Sequence, residues 1–378
     1  METMAPLFSC VIPTNRRVSL IEDLLISLRS AKSVEGRPLE ILLVDDSPIK
    51  EAQEIQDLCR RYNARYLEGP ASVREKRNLG IVNAHGEYVF FIDSDCQADK
   101  NVFEEHYKIL STAGYDACIG ITNFVGEDSP MWHIISQTKF LDSFRFPTLL
   151  KNKVDSAPWG PTTNLSVRKK ILDKLGGFET NLPFKLGADD ADLGLRINRA
   201  GFRIGMSEAA LVFHSRETWN GMRKIMRRVF RWGRMDYYLY YCRHREKTAF
   251  TMPKPISVFS LLAIVLLTLA VCSSFFWPLC SIFLWWPCFL WLFSYIKRMH
   301  WKMQHVPLWT LMGAEFINQV FDWGCLVMSL RHGSLACLWR EPIDDPRNLW
   351  HTKIHLTWAS CLATFFVLII ACLWSVFQ

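Results

Sequence analysis

Two acidic residues separated by a single position give this chain a candidate metal-binding motif. Asp93 and Asp95 directly follow an apolar run at residues 88–92. Carboxylates placed in this way after a buried strand can bind one hard cation such as Mg²⁺ or Mn²⁺, which also takes phosphate oxygens of a substrate. Acidic residues at strand ends also serve as solvated turns or helix caps. The apolar strand before the motif favours the metal site.

Two further acidic groups have the composition of a binding or catalytic site. Asp45 and Asp46 follow another apolar run, and one of them could accept a hydrogen bond from a nucleobase, although Asp46 could instead cap the next helix. Asp189, Asp190 and Asp192 crowd the start of a later helix, where a helix dipole, an arginine or a metal would offset their repulsion. One of these three could act as a general base toward a hydroxyl. The alternative is an N-cap at Asp189 with the other two exposed.

Basic residues accompany the acidic motifs, and the whole chain has a formal charge of +7. Arg74, Lys76 and Arg77 lie on a predicted helix, either as a solvated face or as contacts to a base or a diphosphate. The stretch from Met222 to Arg234 predicts a basic amphipathic helix on an anionic membrane surface. A positive charge is also typical of nucleic-acid binding. Because these residues precede apolar segments, we expect a membrane and no nucleic acid as the partner.

The elements that must position these residues alternate between strand and helix over the first 250 residues. Ser19 and Glu22 form a capping-box pattern at the start of the first helix. Continuously apolar strands predict a parallel sheet with both faces covered, and ligands bind such sheets beyond the carboxyl ends of the strands. Neither a GxGxxG motif nor a P-loop is present. The expected strands are Phe8–Ile12, Glu40–Val44, Ala64–Leu67 and Tyr88–Ile92.

The last third of the chain predicts a membrane domain. Residues 256–296 contain no Asp, Glu, Lys or Arg and are about twice as long as one crossing needs. With a break near Pro278 they predict spans at about 256–276 and 278–297, and a third is expected at about 354–377. The segment at about 308–330 has a polar stripe, so it is either a fourth span or, as flanking charges favour, an interfacial helix.

Seven short motifs occur in one order between residues 7 and 245. They are Val11 to Asn15, Leu43 to Ser47, Lys76 to Gly80, Phe91 to Asp95, Gly176 to Phe178, Asp189 to Leu193 and Arg228 to Trp232. Each alone is unspecific, but together they make the chain resemble the family 2 glycosyltransferases. The resemblance implies an α/β fold: a GT-A, Rossmann-like domain that binds nucleotide sugars, here at residues 1–250 with a basic interfacial helix at 221–247. The α-helical transmembrane region would then be 251–378.

The resemblance also implies a role for each motif residue. The nucleotide would be held by Pro13, Asn15, Asp45, Asp46, Arg77 and Asp93. The metal, Mg²⁺ or Mn²⁺, would be bound by Asp93 and Asp95, with His214 as an additional candidate ligand. The catalytic base would be Asp190. Contacts to the acceptor and the diphosphate would come from Asp189, Arg228, Arg231 and Trp232.

Two departures from the family pattern bear on the acceptor. Asp189 stands where the family often has glutamate, and Arg228 stands where it often has glutamine. Arginine at the second position occurs in relatives that resemble lipid glucosyltransferases such as the ceramide type. The resemblance therefore implies a lipid or lipid-linked acceptor, reached from the membrane side.

The predicted activity is an inverting transfer of a sugar from a nucleoside-diphosphate sugar, with a UDP-sugar as the expected donor, to a hydroxyl of that acceptor. Such a hexosyltransferase would serve the biosynthesis of a cell-envelope glycan or a glycolipid. We expect an integral protein of the plasma or inner membrane with its catalytic domain in the cytoplasm. Two alternatives are a processive polysaccharide synthase, which would be expected to have more spans, and a non-catalytic membrane scaffold.

Overall fold

The computed structural model describes residues 4–138, 155–251, 307–334, 336–339 and 341–343. The chain divides into two compact units. The first unit comprises the described residues of Met1–Ser129 and Lys139–Asn220, and the second comprises those of Pro130–Thr138 and Gly221–Gln378. The predicted basic stretch that begins at residue 221 lies in the second unit.

The first unit is built on an eight-stranded sheet with the strand order β3-β2-β1-β4-β7-β6-β8-β5. The first five strands are β1 Phe8–Thr14, β2 Glu40–Asp45, β3 Arg65–Glu68, β4 Tyr88–Phe91 and β5 Cys96–Ala98. The remaining three are β6 Ala117–Val125, β7 Leu165–Arg168 and β8 Ile204–Ser215. Each of the four strands predicted from apolar runs is present, with ends that differ by one or two residues.

The sheet is parallel in one half and mixed in the other. Strand β1 pairs in parallel with β2 and β4, and β2 pairs in parallel with β3, as expected. Strand β7 is antiparallel to both β4 and β6, and β5 is antiparallel to β8. The prediction of a parallel sheet therefore holds for β1–β4 and is wrong for the whole sheet. An apolar run reports burial on both faces of a strand and contains no information on its direction.

Helices cover both faces of this sheet. They are α1 Val18–Ser30, α2 Ile49–Arg61, α3 Val73–Asn83, α4 Val102–Tyr107, α6 Lys169–Leu175 and α7 Asp189–Arg199. Alternate residues of β1 enter different cores: Cys10 and Ile12 pack with residues of α1 and α2, whereas Val11 packs with residues of α3, α6 and α7. This alternation is the consequence of the two-residue period of a strand, and it confirms that both faces are covered.

The predicted capping box at the start of α1 is wrong. The helix begins at Val18, and the N-cap position is Arg17, which has a left-handed backbone and makes no side-chain cap. Glu22 instead accepts hydrogen bonds from Arg61 at 2.9 Å and from Tyr62 at 3.2 Å. Tertiary contacts of the turn after β1 thus determine where the helix starts, and local capping does not.

The second unit is mainly helical in the residues that the structure describes. Its helices are α5 Pro130–Thr138, α8 Met222–Tyr237, α9 Leu308–Arg331 and α10 Ala336–Trp339, with a π-helical segment Tyr238–Arg243 and a 3₁₀ turn Arg245–Lys247 after α8. Strands β9 Ala249–Thr251 and β10 Glu341–Ile343 pair antiparallel. Helix α8 buries a stripe of Ile225, Val229 and Gly233 and exposes basic residues, so the predicted amphipathic basic helix is present.

The three predicted spans at 256–276, 278–297 and 354–377 lie outside the described residues. Within the described part of the chain, no helix combines the length of a membrane crossing with the apolar character that a crossing needs. The helix predicted at 308–330 is present as α9.

Candidate active site

The carboxyl ends of β1 and β2 bring together polar residues from two sequence motifs. Asn15 donates from Nδ2 to Oδ1 of Asp46 at 2.9 Å and to its carbonyl oxygen at 3.2 Å. The buried ammonium of Lys76 donates to the Asp46 carboxylate and to the carbonyl of Thr14. Burial alone would raise the pKa of Asp46, but the hydrogen bonds from Lys76 and Asn15 and the charge of Lys76 lower it below its ordinary value. Asp46 is therefore a well-held anion at the edge of the sheet.

Asp45 is more deeply placed than its neighbour. Its side chain is fully buried and accepts hydrogen bonds from the Ser47 hydroxyl at 2.5 Å and the Tyr66 hydroxyl at 3.0 Å. Burial, followed by the charge of Asp45, raises the pKa of Tyr66 to about 12, so the phenol remains a donor at neutral pH. Asp45 and Asp46 are both predicted nucleotide contacts, and Asp46 is the partly exposed one of the pair. Pro13 is buried within β1, opposite Val44.

A single arginine joins the two acidic clusters that the sequence separates by nearly a hundred residues. Arg77 on α3 donates from Nη2 to Oδ1 of Asp93 at 3.1 Å, and its Nη1 donates to Oδ2 of Asp189. The side chains of Arg77 and Asp189 are both 6% exposed, whereas that of Asp93 is 32% exposed. A buried guanidinium with two carboxylate partners satisfies the rule that buried charges are paired. The start of α7 therefore lies beside the end of β4.

The three acids at the start of α7 have different surroundings. Asp189 pairs with Arg77, and the fully buried Asp192 accepts a 2.8 Å hydrogen bond from Nε of Arg196. Asp190 is half-buried, and one of its oxygens accepts a hydrogen bond from the amide of Ala191 at 2.8 Å. Asp189 is the first residue of the helix, so the alternative in which it is the N-cap is wrong. That position belongs to Ala188, which has no side-chain acceptor.

Side chains of α3 form hydrogen bonds with the turn that precedes α7. Gly187 and Ala188 are both left-handed, with φ of 82° and 65°. The Nη2 atom of the buried Arg74 donates to the carbonyl of Gly187 at 2.7 Å. On the same helix, Asn78 donates to the carbonyl of Phe178 at 2.8 Å and accepts from its amide at 2.7 Å. Helix α3 thus orients two segments that precede the acidic helix α7. Its residues Arg74, Lys76 and Arg77 are buried, so the alternative in which they form a solvated face is wrong.

A second group of side chains could hold a metal ion. Asp95, Cys96 and His214 each offer one ligand atom, and these atoms lie within 4.8 Å of one another. Nδ1 of His214 lies 2.7 Å from the carbonyl of Ser215, and its Nε2 lies 3.5 Å from Oδ1 of Asp95. An imidazole whose Nδ1 is held by a carbonyl presents Nε2 as the ligand nitrogen, which is the usual arrangement of metal-binding histidines. Carboxylate and imidazole donors fit Mn²⁺, and carboxylate also fits Mg²⁺.

The two carboxylates of the Asp93 and Asp95 motif point to different partners. Asp93 bonds to Arg77, whereas Asp95 accepts a hydrogen bond from Arg17 and faces His214. The histidine that the sequence offered as an additional ligand is therefore beside Asp95. Asp93 is outside the metal-capable group, and its assignment as a ligand stays a prediction. The thiol of Cys96 lies in the hydrophobic core, and this burial raises its pKa well above the ordinary value.

The predicted acceptor residues Arg228, Arg231 and Trp232 lie on α8 of the second unit, where all three are half-buried. Burial lowers the pKa of Arg231. Their roles remain predictions from the family resemblance.

Sequence reasoning missed Arg17 and Tyr66 as site residues. Arg17 follows the first strand by three positions, and its basic side chain after a strand end was the available signal. Tyr66 lies on the edge strand β3, and nothing in the local sequence connects it with Asp45. Register between neighbouring strands makes that connection, because Leu43 of β2 pairs with Tyr66.

Residues 9–176 match the family model described as glycosyl transferase family 2. The match covers less than half of the chain. The match begins in β1 and includes Asp93 and Asp95, but it ends before α7. The family 2 match therefore covers the candidate donor side of the site and does not include Asp190.

The chain is also similar to curated glycosyltransferases. An uncharacterized glycosyltransferase of Rickettsia felis is 29% identical over 144 residues, which are 36% of this chain and 21% of that protein. Glycosyltransferase AglE of Haloferax volcanii is 21% identical over 241 residues, which are 62% of this chain and 74% of that protein. The chain thus spans about a fifth of the length of the Rickettsia relative.

Among solved structures, the chain is similar to the mannosyltransferase PcManGT of Pyrobaculum calidifontis in complex with GDP-Man and Mn²⁺. The TM-score is 0.49 and the identity is 16%, over 99% of this chain and 88% of that one. A likeness at this level says nothing further about the activity of this chain.

Proposed function

We propose that this protein is a membrane-anchored, inverting glycosyltransferase that moves a sugar from a nucleoside-diphosphate sugar to a hydroxyl of a lipid or lipid-linked acceptor. One observation carries the proposal. Arg77 bridges Asp93 at the end of β4 and Asp189 at the start of α7, so the candidate diphosphate side and the candidate base lie in one site. The family 2 match over residues 9–176 supports the reaction class.

The nucleotide would bind at the ends of β1 and β2. Asp46 is anionic, partly exposed and fixed by Asn15 and Lys76, so its carboxylate can accept hydrogen bonds from a nucleobase N–H. Asp45, Ser47 and Tyr66 form the support beneath it. We expect a UDP-sugar as the donor, which follows from the family resemblance.

The diphosphate would bind beside Asp93 and Asp95, together with Mg²⁺ or Mn²⁺. Asp95 and His214 are the residues whose donor atoms fit such an ion. The bound cation would supply electrostatic stabilisation of the departing nucleoside diphosphate. Arg77 already has two carboxylate partners, so it orients the ends of β4 and α7 around the leaving group.

Asp190 is the proposed general base. Of the three acids in the first turn of α7, Asp189 and Asp192 are buried, whereas Asp190 is only half-buried and can be reached by a substrate. The helix N-terminus stabilises its charge. Asp190 would take the proton of the acceptor hydroxyl as the oxygen attacks the anomeric carbon. A single displacement inverts configuration at that carbon, by analogy with inverting glycoside chemistry.

The acceptor and the location are proposed from the sequence. The predicted spans at 256–276, 278–297 and 354–377 and the basic helix α8 together suggest that the catalytic domain lies at the cytoplasmic face of a plasma or inner membrane. A hydroxyl of a lipid-linked acceptor would then be within reach of Asp190. Arg228, Arg231 and Trp232 are the proposed acceptor contacts.

The test uses the purified full chain in detergent, Mn²⁺ and a panel of nucleotide sugars, with and without a membrane lipid extract. We expect nucleoside diphosphate release that depends on both the metal and the extract. Asp190→Asn should lower turnover about 10²- to 10⁴-fold with donor affinity nearly unchanged. Asp173→Asn, an exposed acid of the first unit, is the matched control and should keep full turnover.

Four outcomes would contradict parts of this proposal. Unchanged turnover in Asp190→Asn would remove that residue as the base. Release without any lipid extract would remove the lipid acceptor. Donor binding without release under any acceptor would support a non-catalytic protein, and a polymeric product would support a processive synthase.

A further inference from the structure

Arg17 forms an ion pair with Asp95, one of the residues that could bind a metal ion, and the proposed function assigns no role to this pair. Its Nη1 donates to Oδ2 of Asp95, the carboxylate whose other oxygen lies 3.5 Å from Nε2 of His214. The side chain of Arg17 is 42% exposed, whereas that of Asp95 is 8% exposed. A half-exposed guanidinium therefore rests on a buried carboxylate, and it can leave that carboxylate toward solvent without passing through the core.

The backbone beneath this contact is strained. Arg16 and Arg17 are both left-handed, with φ of 60° and 62°, and neither is glycine. Left-handed backbone is unfavourable for residues with a Cβ atom and persists where surrounding contacts hold it. Two such contacts are present: the Arg17 pair with Asp95, and a 2.5 Å hydrogen bond from the Arg16 amide to the Ser47 hydroxyl. Opening the ion pair would release one of the constraints on this turn, while the Arg17 carbonyl still accepts from the Ile21 amide at 3.1 Å.

The position of the turn gives the displaced side chain a second partner. The turn follows the carboxyl end of β1, which is next to β4 in the sheet. That edge is where Asp93 and Asp95 lie and where the proposed diphosphate binds. A diphosphate is a strong acceptor for a guanidinium, since the two can form paired charge-assisted hydrogen bonds.

We propose that Arg17 competes with the divalent cation for Asp95 and, once displaced, pairs with the diphosphate of the donor. Arg17 would thereby couple the two binding events: the cation alone binds weakly, and cation and nucleotide together bind well. By linkage, each would raise the affinity for the other by the same factor. This inference rests on the metal site of the proposed function, and it assigns a role to a residue outside the family 2 motifs quoted above.

The test measures binding of Mn²⁺ to the full chain by electron paramagnetic resonance, with and without UDP and independently of turnover. Without UDP, Arg17→Gln should bind Mn²⁺ about tenfold or more tightly than the unmodified chain, since a hydrogen bond between charged groups no longer competes. UDP should raise the Mn²⁺ affinity of both proteins, and the factor of increase should be about ten times larger in the unmodified chain than in Arg17→Gln.

Two further variants make the result specific. Arg16→Gln removes the same charge from the neighbouring residue, which does not belong to the ion pair with Asp95. This variant should bind Mn²⁺ like the unmodified chain. Arg17→Gly removes the guanidinium and suits the left-handed backbone, so it should bind Mn²⁺ tightly even if Arg17→Gln folds poorly. Asp95→Asn should abolish binding in every background.

The outcomes separate this inference from the proposed function. Equal Mn²⁺ affinity in the Arg17 variants and the unmodified chain, with binding lost in Asp95→Asn, would overturn the competition and leave the metal site standing. Tighter Mn²⁺ binding in Arg16→Gln as well would show that the loss of any nearby positive charge raises the affinity. That result would also overturn the competition. Absence of Mn²⁺ binding in all variants, with or without UDP, would overturn both the inference and the metal site.

Discussion

The candidate site depends on how each carboxylate is neutralised. Asp189 and Asp192 are buried and each has an arginine partner, and Asp46 has a buried lysine. Removing one partner from such a pair leaves a buried charge uncompensated, which is far more costly than losing an exposed ion pair. Asp190 lies between two paired acids in the first turn of α7. The pairing of its neighbours limits the repulsion that a base at this position has to overcome.

His106 is a buried histidine on helix α4 of the first unit. Its Nε2 lies 2.8 Å from Oδ1 of Asn164, and its Nδ1 lies 2.6 Å from the Ser166 hydroxyl. The amide nitrogen of Asn164 donates to the carbonyls of Ile121 and Ala210. Its oxygen is thus the acceptor, so Nε2 of His106 carries the proton and Nδ1 accepts from Ser166.

This neutral histidine makes the stability of the first unit sensitive to pH. Burial lowers the pKa of His106 from 6.5 to about 4. Below pH 6.5 the imidazole of His106 is protonated in the unfolded chain, whereas in the folded chain it stays neutral down to about pH 4. The unfolding free energy therefore falls as the pH falls through this window. The full effect is about 3 kcal/mol, because each unit of pKa difference corresponds to about 1.4 kcal/mol.

Hydrogen exchange over β6 and β7, corrected for intrinsic rates, would measure this effect between pH 7 and pH 5. We expect the opening free energy to fall by about 2 kcal/mol in the unmodified chain. His106→Gln should be less stable at pH 7 but nearly lose the slope. His85→Gln, which replaces an exposed histidine of the same unit, should keep it. A slope that persists in His106→Gln would contradict the assignment.

At the scale of elements, the packing of α8 against α9 requires glycine on both helices. A Cβ at Gly233 would collide with the carbonyl oxygen of Phe321, and one at Gly324 would collide with that of Phe230. The Cys325 thiol lies 3.0 Å from the carbonyl of Gly233. Small residues on two facing helices allow this close approach of their backbones.

Gly233→Ala should therefore destabilise the second unit by about 1–3 kcal/mol, because the added methyl group meets rigid backbone. Gly313→Ala is the matched control on α9. Its Cβ would lie 2.6 Å from the end of the Ile134 side chain, which can move, so helix propensity should offset most of the cost. Thermal unfolding in detergent, followed by tryptophan fluorescence, compares the two. Equal unfolding temperatures would contradict the backbone contact.

At the scale of the whole molecule, the two units and the apolar segments define the expected behaviour in a membrane. The basic helix α8 exposes Arg223, Lys224 and Arg227. Exposed basic residues attract a protein to an anionic surface reversibly, whereas apolar spans hold it irrespective of salt.

The full chain should therefore remain in the membrane pellet after an alkaline carbonate wash. A chain that ends at residue 247 should be released by carbonate or by high salt, since electrostatic attraction alone would hold it. Release of the full chain would contradict the predicted spans. Retention of the truncated chain would show that residues before 248 contain an anchor of their own.

The sequence by itself determined the first half of the sheet in the first unit and the acidic motifs at the ends of its strands. Apolar runs predicted β1 to β4, because a strand buried on both faces must be apolar throughout. The alternation of strand and helix along the chain predicted the helices that cover these strands. The position of Asp93 and Asp95 after β4 followed from the same pattern.

Only the tertiary structure decided which partners these residues have and how the rest of the sheet runs. The antiparallel insertion of β7, the bridge from Arg77 to Asp189 and the pair of Arg17 with Asp95 all join residues that are distant in the sequence. Local patterns specify burial and secondary structure, whereas ion pairs and strand direction depend on which elements become neighbours. Neighbours are selected by the packing free energy of the whole unit, which no local segment of the chain contains.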